Sequence, residues 1–360
     1  MSRKKGVILS YVGLIIDILS GMIYVPFLLR SLGQAEYGIY SLTTTISSYL
    51  LLLDLGIGNA LVRYMAKYRV NKEDENQSKF YGLSIIFYTA IFLIAIIVGV
   101  ILCLIFPNVF AKGLTVEEIK LAQKLLFVTM LNAGFTLLFV TFSKLLIAYE
   151  KYTAAKLIDM IKVIVRVSGC TLMLVFGAKS LAITIVNLAS TILMGIVTII
   201  YVKSKIKIKP KFKNLQFSFI KEILNYTAFI LLQMVVVQIN TMTDQILIGA
   251  LVEASAIILG IYAAGAQICQ YFKAIALSVN GIIMPGVVEL VENKATTEDI
   301  YKEFLKISRI LFIILGIIWV GFLINGKYFI ELWAGQDASD AYYVALIIML
   351  PLVFSQSQSV

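Results

Sequence analysis

The sequence contains no histidine, and this absence narrows the chemistry that the protein can perform. Histidine is the commonest metal ligand and the usual proton relay near neutral pH, so histidine-ligated metal sites and histidine relays are excluded. Cysteine is also scarce. Cys103, Cys170 and Cys269 all lie inside apolar runs, so no disulfide framework is implied. We therefore expect neither a metal nor a cofactor.

Charged residues are few, at 14% of the 360 residues, and they fall in clumps. Apolar residues make up 60%, and the mean hydropathy is +0.92; a soluble domain is about 45–50% apolar. Runs such as Ile85 to Phe106, "IIFYTAIFLIAIIVGVILCLIF", carry no charge on any face, as expected of a helix that crosses a bilayer. No small-residue cleavage site follows the first apolar run, so a cleaved signal peptide is not expected. We predict an all-α, polytopic membrane protein.

Ten membrane spans are predicted from these runs. They cover residues 6–29, 38–62, 81–106, 121–148, 157–176, 181–201, 223–250, 257–288, 307–331 and 342–357. Thr115 and Thr296 are each followed three residues later by an acid, Glu118 or Asp299. This spacing is typical of a capping box, in which a hydroxyl and an acid satisfy free amides at a helix start. Helices are therefore expected to begin at both threonines.

Lysine and arginine are distributed unequally between the two sides of these spans. With the N-terminus in the cytoplasm, the cytoplasmic segments hold 21 of the 31 basic residues and the outer ends hold 6. Because basic residues accumulate in cytoplasmic loops, we predict a cytoplasmic N-terminus. The net charge of +10 then belongs mostly to these loops, and no nucleic-acid partner is expected. The run "KSKIKIKPKFK", residues 203–213, is expected to rest on anionic lipid head groups.

A short turn recurs at two matched points of this topology. Gly-Ile-Tyr occurs at residues 38–40, where span 2 begins, and at residues 260–262, where span 8 begins. Six spans separate the two turns, so the chain enters from the same side at both, as in the parallel repeats of secondary transporters. We predict two six-helix lobes around a central cleft. The N-lobe would be residues 1–202 and the C-lobe residues 223–360, joined by a basic linker of residues 203–222.

Polar residues at helical spacing mark the first two spans of each lobe. They are Ser10, Gly13, Asp17, Ser20, Gly21 and Tyr24 in span 1; Ser41, Thr45, Ser48 and Asn59 in span 2; Gln233, Asn240 and Asp244 in span 7; and Gln270, Lys273 and Asn280 in span 8. Small and hydroxyl residues alone also pack helices together in lipid. A charge in the bilayer core costs at least ~2.5 kcal/mol, so the stripes that carry Asp or Lys favour a cleft.

Deep charges are the second candidate feature. Arg166 is ten residues into span 5, which places it ~15 Å deep at ~1.5 Å per residue and near the midplane of a ~30 Å core. Asp159, Lys162 and Arg166 are spaced i, i+3, i+7 and share a helix face. Together with Asp17, Asp244 and Lys273, Arg166 is a candidate functional charge. The alternative is internal ion pairing that only holds helices together.

The segments "VPFLLRSLGQAEYGIYSL" (residues 25–42) and "LLLDLGIGNALVRYMAKY" (residues 51–68) resemble the first two spans of bacterial polysaccharide flippases of the O-antigen type. "NTMTDQILIGALV" (residues 240–252) and "LGIYAAGAQI" (residues 259–268) resemble their seventh and eighth spans, and Pro285 fits as well. These flippases belong to the multidrug/oligosaccharidyl-lipid/polysaccharide (MOP) exporter superfamily. Members usually have 12 to 14 spans, so the C-lobe is expected to be truncated: either the sequence is a fragment, or this chain alone lacks the full activity.

The resemblance implies a transporter in the bacterial inner membrane that is not an enzyme. It would move an undecaprenyl-pyrophosphate-linked oligosaccharide to the outer leaflet and couple this to a proton or Na⁺ gradient. Substrate binding would fall to Arg166, Lys273, Gln270, Asn240 and Gln233, and ion coupling to Asp17 and Asp244. One alternative is a multidrug or small-molecule exporter of the same superfamily, whose cleft should be acidic and aromatic. Another is a membrane glycosyltransferase or polymerase, which would need a longer outer loop than residues 107–120.

Overall fold

A computed structural model describes the backbone of residues 2–206, 208–213, 218–292 and 296–358. Side chains are described for residues 16, 18–206, 208–213, 231–277 and 296–358. Over this part of the chain the secondary structure is helical, without strands. The α-helices are α1 Ser2–Leu32, α2 Gln34–Ser48, α3 Ile57–Val70, α4 Asp74–Phe110, α5 Val116–Ala148, α6 Tyr152–Val175, α7 Ser180–Lys205, α8 Ser218–Leu251, α9 Ser255–Glu292, α10 Thr297–Ala334 and α11 Ala341–Ser357.

Seven helical stretches among the described residues are long and apolar enough to cross a membrane. They are residues 34–70, α4, α5, α7, residues 231–251, residues 255–277 and α10. In α6, Asp159, Lys162 and Arg166 fall within every 18-residue stretch, so this helix is more polar than the others. The prediction of an all-α, polytopic membrane protein is confirmed.

Predicted span 2 is not one continuous helix. α2 ends at Ser48, a 3₁₀ turn covers Tyr49–Asp54, and α3 begins at Ile57. Leu55 (φ 51°) and Gly56 (φ 72°) between them adopt left-handed conformations, which end a helix and which glycine tolerates best. The predicted span over residues 38–62 lies within residues 34–70, a stretch long and apolar enough to cross a membrane, and Asp54 lies at the break inside it.

Both predicted capping residues lie at the start of a helix. The Thr115 N–H donates to Glu118 Oε2 at 2.8 Å and the Glu118 N–H donates to Thr115 Oγ1 at 3.4 Å, which completes a capping box at α5. At α10, Thr296 Oγ1 accepts from the Asp299 N–H at 3.2 Å and donates to Asp299 Oδ2 at 2.7 Å. The two predicted helix starts are confirmed.

Packing divides the chain into two compact units. The first contains residues 1–17 and 39–256, and the second contains residues 18–38 and 257–360. This division reflects which residues pack together, whereas the predicted lobes are defined by the repeated Gly-Ile-Tyr sequence. The lobe boundaries therefore stay a prediction. Each unit is described by itself below.

The first unit is built on α5, which packs along both α4 and α7. Its core contains the aromatic side chains of Tyr64, Phe80 and Tyr88 from α3 and α4. Within the predicted basic linker, residues 208–213 lie against the start of α4, where the Lys211 N–H donates to the Ser78 carbonyl at 3.0 Å. The linker's contact with lipid head groups stays a prediction.

The second unit joins the C-terminal half of α1 to α9, α10 and α11. Trp333 Nε1 donates to the Met22 carbonyl at 2.7 Å, and α10 packs along α11. Both Gly-Ile-Tyr sequences lie inside helices, α2 and α9, so the prediction that they form turns is wrong. Gly260 faces the backbone of Gln34, where a Cβ would collide with the Gln34 carbonyl, so glycine is needed there because two backbone segments approach each other closely.

Candidate functional site

Three residues of the polar stripe predicted on span 2, Ser41, Thr45 and Ser48, lie against α8. Ser41 and Thr45 both donate to Gln245 Oε1, at 3.3 and 2.5 Å. Gln238 Nε2 donates to Ser48 Oγ at 2.7 Å. Gln245 is only 8% exposed, and a buried amide oxygen needs hydrogen-bond donors. The hydroxyl groups of Ser41 and Thr45 on the neighbouring helix supply them. We call these five residues the α2–α8 seam.

The α8 residues in the seam are not the ones that the sequence pattern selected. Gln233, Asn240 and Asp244 are all exposed, and Asp244 has interactions of its own. Gln238 and Gln245 are seven residues apart, just as Gln233 and Asn240 are. Periodicity therefore identifies two polar faces of α8 equally well, and only the position of α2 separates them. The roles predicted for Gln233, Asn240 and Asp244 stay predictions.

A polar cavity of about 150 Å³ lies between α2, α5 and α7, in the first unit. We call it the α2/α5/α7 cavity. Its wall consists mainly of hydroxyl and amide side chains and contains no acidic or basic residue among the described ones. Residues that line it include Tyr40, Thr44, Ser47, Asn132, Thr136 and Asn187. Sequence reasoning missed this cavity, although Thr44 and Ser47 are directly adjacent in sequence to the predicted stripe residues Thr45 and Ser48.

The predicted charged face of α6 lies next to this cavity. Arg166 is half-buried, and Cys170, one turn further along α6, has its Sγ 3.6 Å from Asn187 Oδ1 in the cavity wall. Lys162 interacts electrostatically with both Asp159 and Arg166. The three residues therefore form one electrostatic group, as their i, i+3, i+7 spacing predicts. Arg166 has further interactions within the protein.

The second unit holds the predicted residues of span 8. Gln270 is exposed on α9, and Lys273 is half-buried one turn further along the helix. The Lys273 charge acts on Cys269, whose buried Sγ contacts the Ala345 carbonyl at 3.6 Å. The side chains of Asp17 and Asn280, like Pro285, lie outside the described residues, so their predicted positions stay predictions.

A polar cluster, of which the sequence analysis selected only Asn59, surrounds the break between α2 and α3. Asp54 Oδ1 accepts a hydrogen bond of 2.6 Å from the Tyr88 hydroxyl. Lys144 Nζ donates to Asn59 Oδ1 at 3.2 Å. A Cβ on Gly58 would touch both the Lys144 side chain and Asp54 Oδ1, so an acid and a base flank that glycine. The available signal was an aspartate within the apolar run "LLLLDLGIG".

The family model for polysaccharide biosynthesis proteins matches residues 2–291. The chain belongs to this family. The resemblance inferred from the sequence is thereby confirmed, and the family is of the transporter type. A search of curated proteins finds no match.

Solved structures share the fold of this polysaccharide biosynthesis protein. A lipid II flippase, MurJ, in an inward closed conformation has a TM-score of 0.69 and 21% identity over 98% of this chain and 73% of that one. A multidrug resistance MATE family transporter of the MOP superfamily, facing inward, has a TM-score of 0.64 and 11% identity, covering 98% and 82%. A MOP superfamily transporter from Pyrococcus furiosus has a TM-score of 0.62 and 12% identity, covering 98% and 81%. At these identities the likeness shows the fold alone.

Proposed function

We propose that this chain is a flippase that moves an undecaprenyl-pyrophosphate-linked oligosaccharide from the inner to the outer leaflet of the bacterial inner membrane. Membership of the polysaccharide biosynthesis family supports a glycan substrate. The transporter fold supports movement across the bilayer. The chemistry of the substrate is inferred from the site.

The observation that carries this proposal is the half-buried Arg166 beside an uncharged polar cavity. A pyrophosphate brings negative charge into a medium of low dielectric, and a guanidinium group offsets that charge through paired hydrogen bonds. A neutral glycan needs hydrogen-bonding groups without charge, which the hydroxyl and amide wall supplies. The lipid tail can stay in the bilayer. In this proposal Lys273, Gln270, Asn240 and Gln233 would also contact the substrate.

Alternating access would couple the two predicted lobes. α2 belongs to the predicted N-lobe and α8 to the predicted C-lobe, so the α2–α8 seam is where they would part. Its hydrogen bonds join neutral groups, each with a net contribution of about 0.5–1.5 kcal/mol, which is small enough for reversible opening. Asp17 or Asp244 would bind a proton or Na⁺ and so shift the population between the two states.

A reconstituted transport assay tests this function. The full chain is placed in liposomes with a fluorescent undecaprenyl-pyrophosphate oligosaccharide, and a membrane-impermeant quencher reports how much of it reaches the outer leaflet. We expect faster movement than in protein-free liposomes. The multidrug alternative is tested in the same vesicles with the organic cation tetraphenylphosphonium. Accumulation of the cation without movement of the glycan lipid would replace the proposed function with that alternative.

A further inference from the structure

We infer that the α2/α5/α7 cavity binds one neutral sugar ring of the transported glycan, with wall oxygens accepting hydrogen bonds from the ring's hydroxyl groups. This inference rests on the proposed function. It adds that the first unit holds a sugar ring of the substrate and that hydrogen bonds hold this ring.

Four hydroxyl groups of the wall have their hydrogens committed elsewhere. Each donates to a backbone carbonyl one turn earlier in its own helix, so what it offers the cavity is oxygen lone pairs. The pairs are Thr44 to Tyr40 (2.8 Å), Ser47 to Thr43 (2.8 Å), Thr136 to Asn132 (2.8 Å) and Thr184 to Ser180 (3.0 Å). The wall is therefore rich in acceptors.

Asn132 strengthens this conclusion. Its Oδ1 is buried at the cavity, and no group among the described residues donates to it. A buried carbonyl oxygen left without a donor costs about 1–3 kcal/mol. A ligand that brings O–H or N–H groups into the cavity would remove this cost.

The charges in and around the cavity restrict the ligand class further. Phosphate and carboxylate oxygens are acceptors only. The donors of the wall are the Tyr40 hydroxyl and the amide groups of Asn132 and Asn187, and Asn187 Nδ2 already donates to Tyr40, so the wall offers an anion few donors and, among its described residues, no positive charge. A cation would enter a wall that has no described acidic side chain to offset its charge. A neutral polyol meets both conditions, because its hydroxyl groups donate and it carries no charge.

The size and position of the cavity select a single ring. A volume of about 150 Å³ is below the ≈ 300–1,000 Å³ of pockets that hold drug-sized ligands, so the cavity suits a ligand no larger than one ring. Arg166 lies one turn before Cys170 on α6, whose Sγ contacts Asn187 in the wall. In the proposed function Arg166 meets the pyrophosphate, so the ring in the cavity would be the sugar that carries it.

Ligand-observed NMR on the full chain in lipid nanodiscs tests this inference. The probes are galactose and N-acetylglucosamine as neutral sugars, glucuronate as an anionic sugar, and sodium chloride as a competing cation. We expect saturation transfer to the neutral sugars, little to glucuronate, and no competition by Na⁺. The loss of one hydrogen bond in Asn132→Leu or Thr136→Val should weaken sugar binding by roughly tenfold.

Thr89→Val is the matched control. Thr89 donates to the Ile85 carbonyl at 2.7 Å, with the same spacing as Thr136 to Asn132, but it is exposed on α4 and does not line the cavity. Sugar binding should be unchanged in this variant. Because leucine removes an unsatisfied buried oxygen, Asn132→Leu should melt at the same temperature as the unmodified chain or higher, so a loss of binding is not a loss of folding.

The possible results separate this inference from the proposed function. Equal sugar binding by Asn132→Leu and the unmodified chain would overturn the subsite, as would competition by Na⁺ or movement of the glycan lipid without sugar binding. If the cavity holds only water, Asn132→Leu will bind sugar as the unmodified chain does and will also transport the glycan lipid at an unchanged rate. Failure of the unmodified chain to move the glycan lipid would instead overturn the proposed function, whatever the free sugars do.

Discussion

The side chains around Arg166 make its charge testable residue by residue. Lys162 interacts electrostatically with both Asp159 and Arg166, and Asp159 also interacts with Lys156. This group on α6 therefore holds three positive charges and one negative charge. An internal role would hold these charges together, whereas a transport role would present one of them to an anionic substrate. Removing one member of a buried charge group leaves the others uncompensated, so single variants must be paired with neutral double variants.

Arg166→Ala should lower the rate of glycan-lipid movement by roughly 10- to 100-fold, since a hydrogen bond to a charged group contributes about 1.5–3 kcal/mol. The reconstituted quenching assay measures this, with Lys151→Ala, an exposed residue before α6, as the control. Arg166→Lys should recover only part of the rate because it loses the paired geometry. Recovery of both expression and transport in Asp159→Asn/Arg166→Gln would assign Arg166 to an internal pair.

Glu73 shows how one side chain holds a turn together. Asn76 Nδ2 donates to one carboxylate oxygen at 2.8 Å and Asn71 Nδ2 donates to the other at 3.1 Å. Hydrogen bonds from Asn76 and then Asn71 hold the pKa of Glu73 below its usual range. A depressed carboxyl pKa contributes stability above the unfolded-state pKa, and that contribution is lost as pH falls through the folded-state pKa.

The α3–α4 turn should therefore loosen at acidic pH. The Glu73 N–H donates to the Tyr68 carbonyl at 2.9 Å. Hydrogen exchange of this Glu73 amide, corrected for intrinsic rates, should accelerate as pH falls through the folded-state pKa of the Glu73 carboxyl group. Glu73→Gln should abolish the pH dependence, because glutamine does not titrate. Glu117→Gln, at the exposed start of α5, is the control and should leave it unchanged. An identical pH profile in Glu73→Gln would contradict this assignment.

At the scale of the helices, two connections meet closely in the first unit. The α4–α5 connection contains Gly113, and the α8–α9 connection leads into Ser255. The Ser255 backbone N–H and Oγ both donate to the Gly113 carbonyl, at 2.9 and 3.0 Å. A Cβ on Gly113 would collide with the carbonyl oxygen of Gly249. The two connections thus approach backbone to backbone, which only glycine permits at this position.

Gly113→Ala should destabilise the chain, because overpacking costs about 1–3 kcal/mol. Gly316→Ala on α10 is the matched control, since its Cβ would meet nothing within 4 Å, and alanine favours a helix by roughly 0.5–1 kcal/mol. Thermal unfolding in detergent should show a lower melting temperature for Gly113→Ala and an equal or higher one for Gly316→Ala. Equal melting temperatures in both variants would show that the two connections separate freely.

For the whole molecule, the distribution of basic residues predicts which side each connection faces. Lys209 is exposed in the linker and Lys120 is exposed near the start of α5. In intact cells and a cysteine-free background, Lys209→Cys should resist a membrane-impermeant thiol reagent, and Lys120→Cys should react with it. Permeabilised cells should allow both to react. Reaction of Lys209→Cys from outside would reverse the topology.

The sequence analysis succeeded for features set by local chemistry and failed where a neighbouring helix decides. The starts of α5 and α10 were predictable because capping depends on residues three apart. The break at Leu55 and Gly56 was not, since the surrounding run "LLLLDLGIG" is apolar enough for a continuous span. Likewise, the importance of Gly113 is not visible without the backbone of Gly249 beside it.

The sequence by itself determined that this protein is helical and crosses a membrane, because apolar runs of this length must satisfy their backbone hydrogen bonds internally. It also determined the family, through residues distributed along the chain. Only the tertiary structure decided which polar face meets which helix. Ser41 and Thr45 meet Gln245, while Thr44 and Ser47 face the cavity. Helical periodicity shows that residues share a face, but the neighbour that this face meets depends on packing between helices distant in sequence.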